Sequence, residues 1–331
     1  VTHSLPVLTA AELPAAPRWC PGCGNYSVLA TLQKVLAGLP GPPDGRVFVA
    51  GVGCAGRAAH YLDAYGFQTL PGRAFAVATG VTLADPGLDV WVVTGDADAV
   101  QSSGMLHLLR RNVNVKILLL NNEVGGLARG AATAATRPGT RPGTRTRTTS
   151  AGSTETPLRL LALAVAAEAG FVARSVDVDV AHLAATLRRA ADHVGAAVVE
   201  VYQNCRTYND EVWAAVTDRT LRGDGHLAVA DGRPLVFGRD REFGVRLQGL
   251  TPVAVRVGKD ASEAELLVHD EAAGPGLATL LARLGGPGLP EAFGVLRAVR
   301  RPTFGEEFDR VRAEALAKRP AETLDELLGL V

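Results

Sequence analysis

Short apolar runs recur through the first two thirds of the chain: RVFVAGV (46–52), DVWVVTG (89–95), VKILLLN (115–121), FVARSVDV (171–178) and AAVVEVYQN (196–204). They are rich in β-branched residues and read as strands covered on both faces. Between and around them lie segments of helical period. Tyr26 to Ala37 carries Leu29, Leu32, Val35 and Leu36, with Asn25 as its expected N-cap. Others cover 73–84, 104–112, 157–170 and Asp179 to about His193. Strands that need cover on two faces, separated by helices that supply it, fold as a parallel α/β sheet flanked by helices.

From Thr133 to Thr156 the chain reads TAATRPGTRPGTRTRTTSAGSTET, a long loop in which RPGT occurs twice in tandem. Its Arg137, Arg141, Arg145 and Arg147 suit a phosphorylated ligand and equally a solvated linker. After about Asn209 the regular alternation gives way to short strands (RPLVFG, LTPVAVRVG) and helices near 275–284 and 305–328. The expected organisation is a ligand-binding α/β domain over 1–209, with 133–156 as its loop, and a C-terminal extension over 210–331 packed on that core.

A chain of 331 residues, 47% hydrophobic, can bury one large core with an appendage. Lys plus Arg and Asp plus Glu both number 34, so no overall field favours nucleic acid, a membrane surface or a strongly acidic partner. The opening VTHSLPVLTAAELPAAP has no basic region before an apolar run, and no stretch approaches a membrane span, so the expected location is the cytoplasm. Thiols stay reduced there. Four cysteines are too few for a disulfide scaffold, which leaves metal or redox chemistry as the alternative to buried apolar thiols.

Open parallel sheets bind ligands outside the carboxyl ends of their strands. The expected strands end in GVGC, TGDAD, LNN and YQNC, which places a glycine, carboxylate, amide or thiol at each exit and delivers Cys54 and Cys205 to one edge. RWCPGCGN (18–25) adds Cys20 and Cys23 around a Pro-Gly turn. Four thiolates complete a tetrahedral zinc site or hold a 4Fe-4S cluster, and spacing does not choose between them.

Gly95, Asp96, Ala97 and Asp98 leave one strand and Asn122 the next. Mg²⁺ takes oxygen ligands, commonly one or two carboxylates together with substrate phosphates. The Asp96 carboxylate, the Asn122 side-chain oxygen and a backbone carbonyl at about Val124 make half an octahedron, which a diphosphate and water could complete. Capping of helices and turns accounts for the same residues without a metal.

The chain resembles the β subunits of the 2-oxoacid:ferredoxin oxidoreductases, most closely the 2-oxoglutarate type. The matching stretches are WCPGCGN, GVGCAGR, YGFQTLPGRAFAVATGVTLADP, VWVVTGDADA, LLRRNVNVKILLLNN and VEVYQNCRTYND, continuing in LLVHDEA and FGVLRAVRRPTF. The likeness runs nearly end to end and includes the order and spacing of all four cysteines. It implies the thiamine diphosphate-binding fold, with Cys20, Cys23, Cys54 and Cys205 on a 4Fe-4S cluster close to thiamine diphosphate. It further implies Mg²⁺ on the diphosphate, held by Asp96, Asn122 and the carbonyl near Val124, with Gly53, Gly95, Ala97, Asp98, Gly126 and Leu127 around the cofactor.

The implied activity is oxidative decarboxylation of a 2-oxoacid, with 2-oxoglutarate favoured, by way of coenzyme A to acyl-CoA and CO₂. Electrons pass through the cluster to ferredoxin, and a partner α subunit supplies the carboxylate that activates thiamine. Arg57, just after Cys54, is a candidate contact for substrate carboxylate or CoA phosphate, or else a surface arginine; His60 and His107 are expected to be structural.

Two departures from the family pattern stand out. GDAD replaces the usual GDGD, and the tract after the NN pair lacks the usual tyrosine, threonine and glutamine, reading Gly125, Gly126, Leu127, Ala128, Arg129, Gly130 and Ala131. Each lost donor weakens a diphosphate grip by ~1–3 kcal/mol where nothing replaces it. Loop arginines are the expected replacement. The alternative is a divergent paralogue that keeps the cluster and has lost thiamine-dependent catalysis, as an electron-transfer or structural subunit.

Overall fold

A computed structural model describes residues 16–138, 140, 143–144, 147–148, 153–218, 220 and 222–318. Its strands are β1 (Arg46–Ala50), β2 (Tyr65–Gln68), β3 (Asp89–Gly95), β4 (Val115–Asn121), β5 (Gly143–Thr144), β6 (Arg147–Thr148), β7 (Phe171–Val176), β8 (Ala197–Tyr202), β9 (His226–Ala228), β10 (Val236–Phe237), β11 (Phe243–Gln248), β12 (Thr251–Arg256) and β13 (Glu291–Ala298). Its helices are α1 (Asn25–Ala37), α2 (Ala74–Ala84), α3 (Asp96–Ala99), α4 (Gly104–Arg110), α5 (Leu160–Ala166), α6 (Val180–Asp192), α7 (Ala214–Thr217), α8 (Arg222–Gly225), α9 (Pro275–Arg283) and α10 (Phe304–Lys318).

Among the described residues the main sheet has eight strands in the order β2-β1-β3-β4-β8-β7-β13-β9. From β2 to β7 every pairing is parallel, as the unbroken apolar runs require. β13 then lies antiparallel to β7, and β9 parallel to β13, so the residues after Asn209 extend the sheet itself. A separate antiparallel sheet, β10-β11-β12, completes that region.

Alternate residues of each strand point to opposite faces. Val47, Val49, Val92, Ile117 and Leu119 meet α2, α4, α5 and α9, while Phe48, Ala50, Trp91, Leu118 and Leu120 meet α1 and α6. Each fully buried side chain of this kind contributes ~1.5–3 kcal/mol. The two apolar layers therefore clamp the strands and fix where their carboxyl ends emerge.

Helix ends show where tertiary packing overrides local cap preference. Asn25 is the first residue of α1 rather than its cap; Gly24 occupies the cap with no side-chain hydrogen bond. A Cβ on Gly24 would stand 1.8 Å from the Asp177 carboxylate, so the close approach selects glycine where propensity favours asparagine. At α6, by contrast, Asp179 accepts the His182 N–H at 3.0 Å, as a cap should. The expected helix at 305–328 is described as far as Lys318, and its remainder lies outside the described residues. No helix among the described residues is long and apolar enough to cross a membrane.

Candidate active site

The parallel strands β1, β3, β4 and β8 open onto one edge, and the loops leaving them are held there by close backbone approaches. After β1 the chain turns back so sharply that a Cβ on Gly56 would stand 1.8 Å from the Gly51 carbonyl oxygen. Cys54 sits in this turn. The Trp19 indole N–H donates to the Cys54 carbonyl at 2.8 Å and so ties the N-terminal segment to it.

Cys20 to Cys23 form a tight turn, with the Cys23 N–H on the Cys20 carbonyl at 3.1 Å and Gly22 at φ +77, the left-handed value a type II turn demands. The Gly24 N–H then donates to the Asn204 carbonyl at 3.1 Å, joining this turn to the loop after β8. Cys20, Cys23, Cys54 and Cys205 thereby line one cavity of about 350 Å³, shared with Asn122, Gly126 and the exposed Arg18, Arg57 and Arg206.

Among the described residues no three His, Cys, Asp or Glu side chains close on a point that could hold a single metal ion. A lone zinc draws its sulfurs to ~2.3 Å.

Their electrostatics fit a cationic occupant. Burial, with the other three thiols adding to it, pushes Cys23 up to about 12, and burial raises Cys54 and Cys205 as well, Arg57 acting against the rise at Cys54. Burial thus favours the protonated thiol at Cys23, Cys54 and Cys205. Hydrogen-bond donors already face two of them. The Asn25 N–H and the Gln203 side-chain amide point at Cys23, the latter at 3.5 Å, and the N–H groups of Thr207, Tyr208 and Asn209 point at Cys205.

Asp96 opens α3 at the end of β3 and is 2% exposed. Its carboxylate accepts the Thr133 hydroxyl at 2.5 Å and the Asn122 backbone N–H. Burial still pushes it up to about 7, and the Glu123 charge adds to the rise. Asn122 accepts the Val124 N–H on Oδ1 at 3.1 Å and donates from Nδ2 to Gln203 Oε1 at 2.7 Å. A buried carboxylate with an amide oxygen nearby is a donor set suited to a hard cation.

The remaining expected site residues fall in different places. Both oxygens of Asp98 are engaged by the protein, Oδ1 by the Gly72 N–H and Oδ2 by the Thr94 hydroxyl, each at 2.9 Å. Gly53, at φ +138, has room around it, and a Cβ on Gly95 would make only ordinary contacts. Ala97 is half-buried, Val124 buried and Leu127 61% exposed. A Cβ on Gly126 would stand 3.0 Å from the Cys54 sulfur, which puts this glycine at the thiols. His60 and His107 are exposed.

Arg137 does not supply the expected replacement for the lost donors. Its Nε pairs with Glu123 at 3.0 Å, its Nη2 donates to the Val212 carbonyl at 2.6 Å, and its guanidinium lies 4.8 Å over the Trp213 ring. Arg141 and Arg145 lie outside the described residues, as does the side chain of Arg147. Thr133 gives its hydroxyl to Asp96, from a position no spacing rule marks. Gln203, 0% exposed between Asn122 and Cys23, is likewise unmarked by local spacing, although the YQNC exit carries it.

Residues 51–201 match the family described as thiamine pyrophosphate enzyme, C-terminal TPP binding domain. That range contains Cys54, Asp96 and Asn122 and leaves Cys20, Cys23 and Cys205 outside it. Mycobacterium tuberculosis 2-oxoglutarate oxidoreductase subunit KorB is 40% identical over 314 residues, 92% of this chain and 80% of that one. The β subunit of Aeropyrum pernix 2-oxoacid:ferredoxin oxidoreductase 1 is 40% identical over 195 residues, 58% of this chain and 60% of its own. The solved 2-oxoglutarate:ferredoxin oxidoreductase of Magnetococcus marinus, with 2-oxoglutarate, coenzyme A and succinyl-CoA bound, superimposes with a TM-score of 0.73 at 25% identity, covering 99% of this chain and 98% of that one. Sheet order, site edge and relatives agree: the chain belongs to the family of 2-oxoacid:ferredoxin oxidoreductase β subunits and carries the thiamine diphosphate-binding fold of an oxidoreductase that an α subunit completes.

Proposed function

We propose that this chain is the catalytic β subunit of a 2-oxoglutarate:ferredoxin oxidoreductase in the cytoplasm, converting 2-oxoglutarate and coenzyme A to succinyl-CoA and CO₂ and passing electrons to ferredoxin. The observation that carries the reading is adjacency. Asn122, beside the Asp96 carboxylate, also lines the cavity of the four thiols. A diphosphate-bound cofactor and a redox centre would thus share one strand edge.

When bound, thiamine diphosphate supplies the electron sink for loss of CO₂, and a 4Fe-4S cluster accepts the electrons. Asp96, the Asn122 amide oxygen and the Val124 carbonyl would hold Mg²⁺ on the diphosphate. Thr133, hydrogen-bonded to Asp96, orients that carboxylate and stands in for the missing threonine of the family tract. Cys20, Cys23, Cys54 and Cys205 would hold the cluster, their crowding relieved once iron is among them. Arg57, exposed at the cavity, is placed to meet the substrate carboxylate or a CoA phosphate. Residues 1–209 form the cofactor-binding domain in this reading and 210–331 its extension. The Thr133 contact weighs against a paralogue without thiamine chemistry.

The test is an anaerobic thiamine diphosphate titration of the chain purified with its α subunit, following the visible iron–sulfur band as 2-oxoglutarate and CoA are added. The band should bleach only with thiamine present. Colourless protein containing zinc would overturn the cluster, and a band unresponsive to every 2-oxoacid, with no thiamine bound, would overturn catalysis.

A further inference from the structure

One side chain joins Asn122 to Cys23. The Val124 N–H donates to Asn122 Oδ1 at 3.1 Å, so the other amide atom of Asn122 is its nitrogen, and this donates to Gln203 Oε1 at 2.7 Å. Gln203 is left with Nε2 facing the Asn204 carbonyl and the Cys23 sulfur, the latter at 3.5 Å. Each bond fixes the sense of the next, so neither amide can be flipped without setting donor against donor. The Gln203 N–H is held on the Asn121 carbonyl at 2.9 Å, and the side chain is fully buried.

We propose that Gln203 is a positioning residue that couples the Asn122 position to the Cys23 sulfur, so that filling the diphosphate site makes the neighbouring cluster easier to reduce. The inference rests on the cofactor assignments of the proposed function. A cation on Asn122 Oδ1 draws electron density from the amide and makes Nδ2–H a stronger donor. Gln203 is polarised in turn, and its Nε2–H bonds Cys23 more strongly, because hydrogen bonds in a chain reinforce one another. A donor on a cluster thiolate favours the more negative, reduced state and raises the potential. Cys205 takes its donors from the backbone of its own loop; Asn209 of that loop does reach Asn122, but it donates to the backbone carbonyl at 2.9 Å and leaves the Asn122 side-chain amide untouched. Among the described residues, Gln203 is the side chain that bonds both Asn122 and a thiol. The coupling would keep the cluster a poor acceptor until the cofactor is in place.

The experiment is an anaerobic redox titration, monitored by electron paramagnetic resonance, of the complex with its α subunit. It compares wild type with Gln203→Met, each with and without thiamine diphosphate and Mg²⁺. In wild type the cofactor should shift the one-electron reduction equilibrium about tenfold toward the reduced cluster, or about 59 mV. In Gln203→Met the cofactor-free potential should be lower and the cofactor-induced rise should largely vanish.

An intact cluster whose rise is the same in both proteins would overturn the coupling. Wild type without any iron–sulfur signal would instead overturn the cofactor assignment on which it rests. Should Gln203→Met not retain a cluster, resonance Raman spectra of wild type in H₂O and D₂O decide the matter. The deuterium sensitivity of the iron–thiolate stretches should grow on adding thiamine diphosphate and Mg²⁺, and a sensitivity that does not change would overturn the proposal.

Discussion

β8 runs between two sets of buried polar groups that differ in how fully they are paired. On the strand itself, Glu200 and Tyr202 belong to a closed ionic network. Arg174, 1% exposed, pairs through Nε with Glu200 at 2.8 Å and through Nη1 with Glu291 at 3.1 Å, and lies 4.9 Å over the Tyr202 ring. Glu291 also takes Arg159 and the Tyr202 hydroxyl, each at 3.0 Å, and the second oxygen of Glu200 takes the Asn121 amide at 2.9 Å. Burial pulls the Arg174 guanidinium down, but Tyr202, Glu200 and Glu291 outweigh it and hold it above its ordinary value.

Just beyond the strand the balance reverses. Burial pushes Asp96 up to about 7 and raises Cys23, Cys54 and Cys205, and Asn25 Oδ1 and Asp177 Oδ1 are buried with no hydrogen-bond partner. Charges that answer one another within the chain hold the fold together. Polar groups left unanswered at a strand edge suit an outside partner.

Breaking the closed network should cost most. Arg174→Ala leaves Glu200 buried without its cation and should destabilise the chain by ~3–5 kcal/mol in urea unfolding; a loss under 1 kcal/mol would erase the distinction. Asp96→Asn should behave in the opposite sense. Without cofactor it removes a buried charge while keeping one acceptor oxygen that can take the Thr133 hydroxyl, and at pH 8 it should raise stability by ~1 kcal/mol. Thiamine diphosphate binding with Mg²⁺, measured calorimetrically in the complex with α, should weaken roughly 100-fold.

The smallest effect belongs to His193, a half-buried residue with an unpartnered Nε2. Burial, and then Lys116, Arg300 and Arg301, depress it from 6.5 to about 4. Between those values the unfolded chain binds a proton that the folded chain refuses, so stability is full above pH 6.5 and is lost as pH falls toward 4. His193→Phe should flatten that slope in unfolding midpoints recorded across the range, by much less than the Arg174 loss.

What the sequence disclosed follows the same division. Strand exits were legible because an unbroken apolar run ends where a Gly, Asp, Asn or Cys begins, and parallel pairing sends all such ends to one edge. The ionic network was not legible. Arg174 and Glu200 look like blemishes in apolar strands until β13 brings Glu291 against them, and β13 itself is disguised by its buried Arg297 and by the register shift between Val295 and Arg297. Thr133 was hidden for another reason: a hydroxyl brought to Asp96 by a loop leaves no mark in local spacing. Asn25 is not the cap because cap preference is local, whereas the packing of Gly24 on Asp177 is not.

The contact from Gln203 to Cys23 spans 180 residues of chain. A ribosome adding 5–20 residues per second would release the paired cysteines roughly 10–40 seconds before the loop bearing Cys205 exists. For that interval the two thiols on the Pro-Gly turn, soon joined by Cys54, lack their fourth partner. On the reading proposed above, iron delivered during synthesis would find only part of its binding set, so loading would follow closure of the sheet.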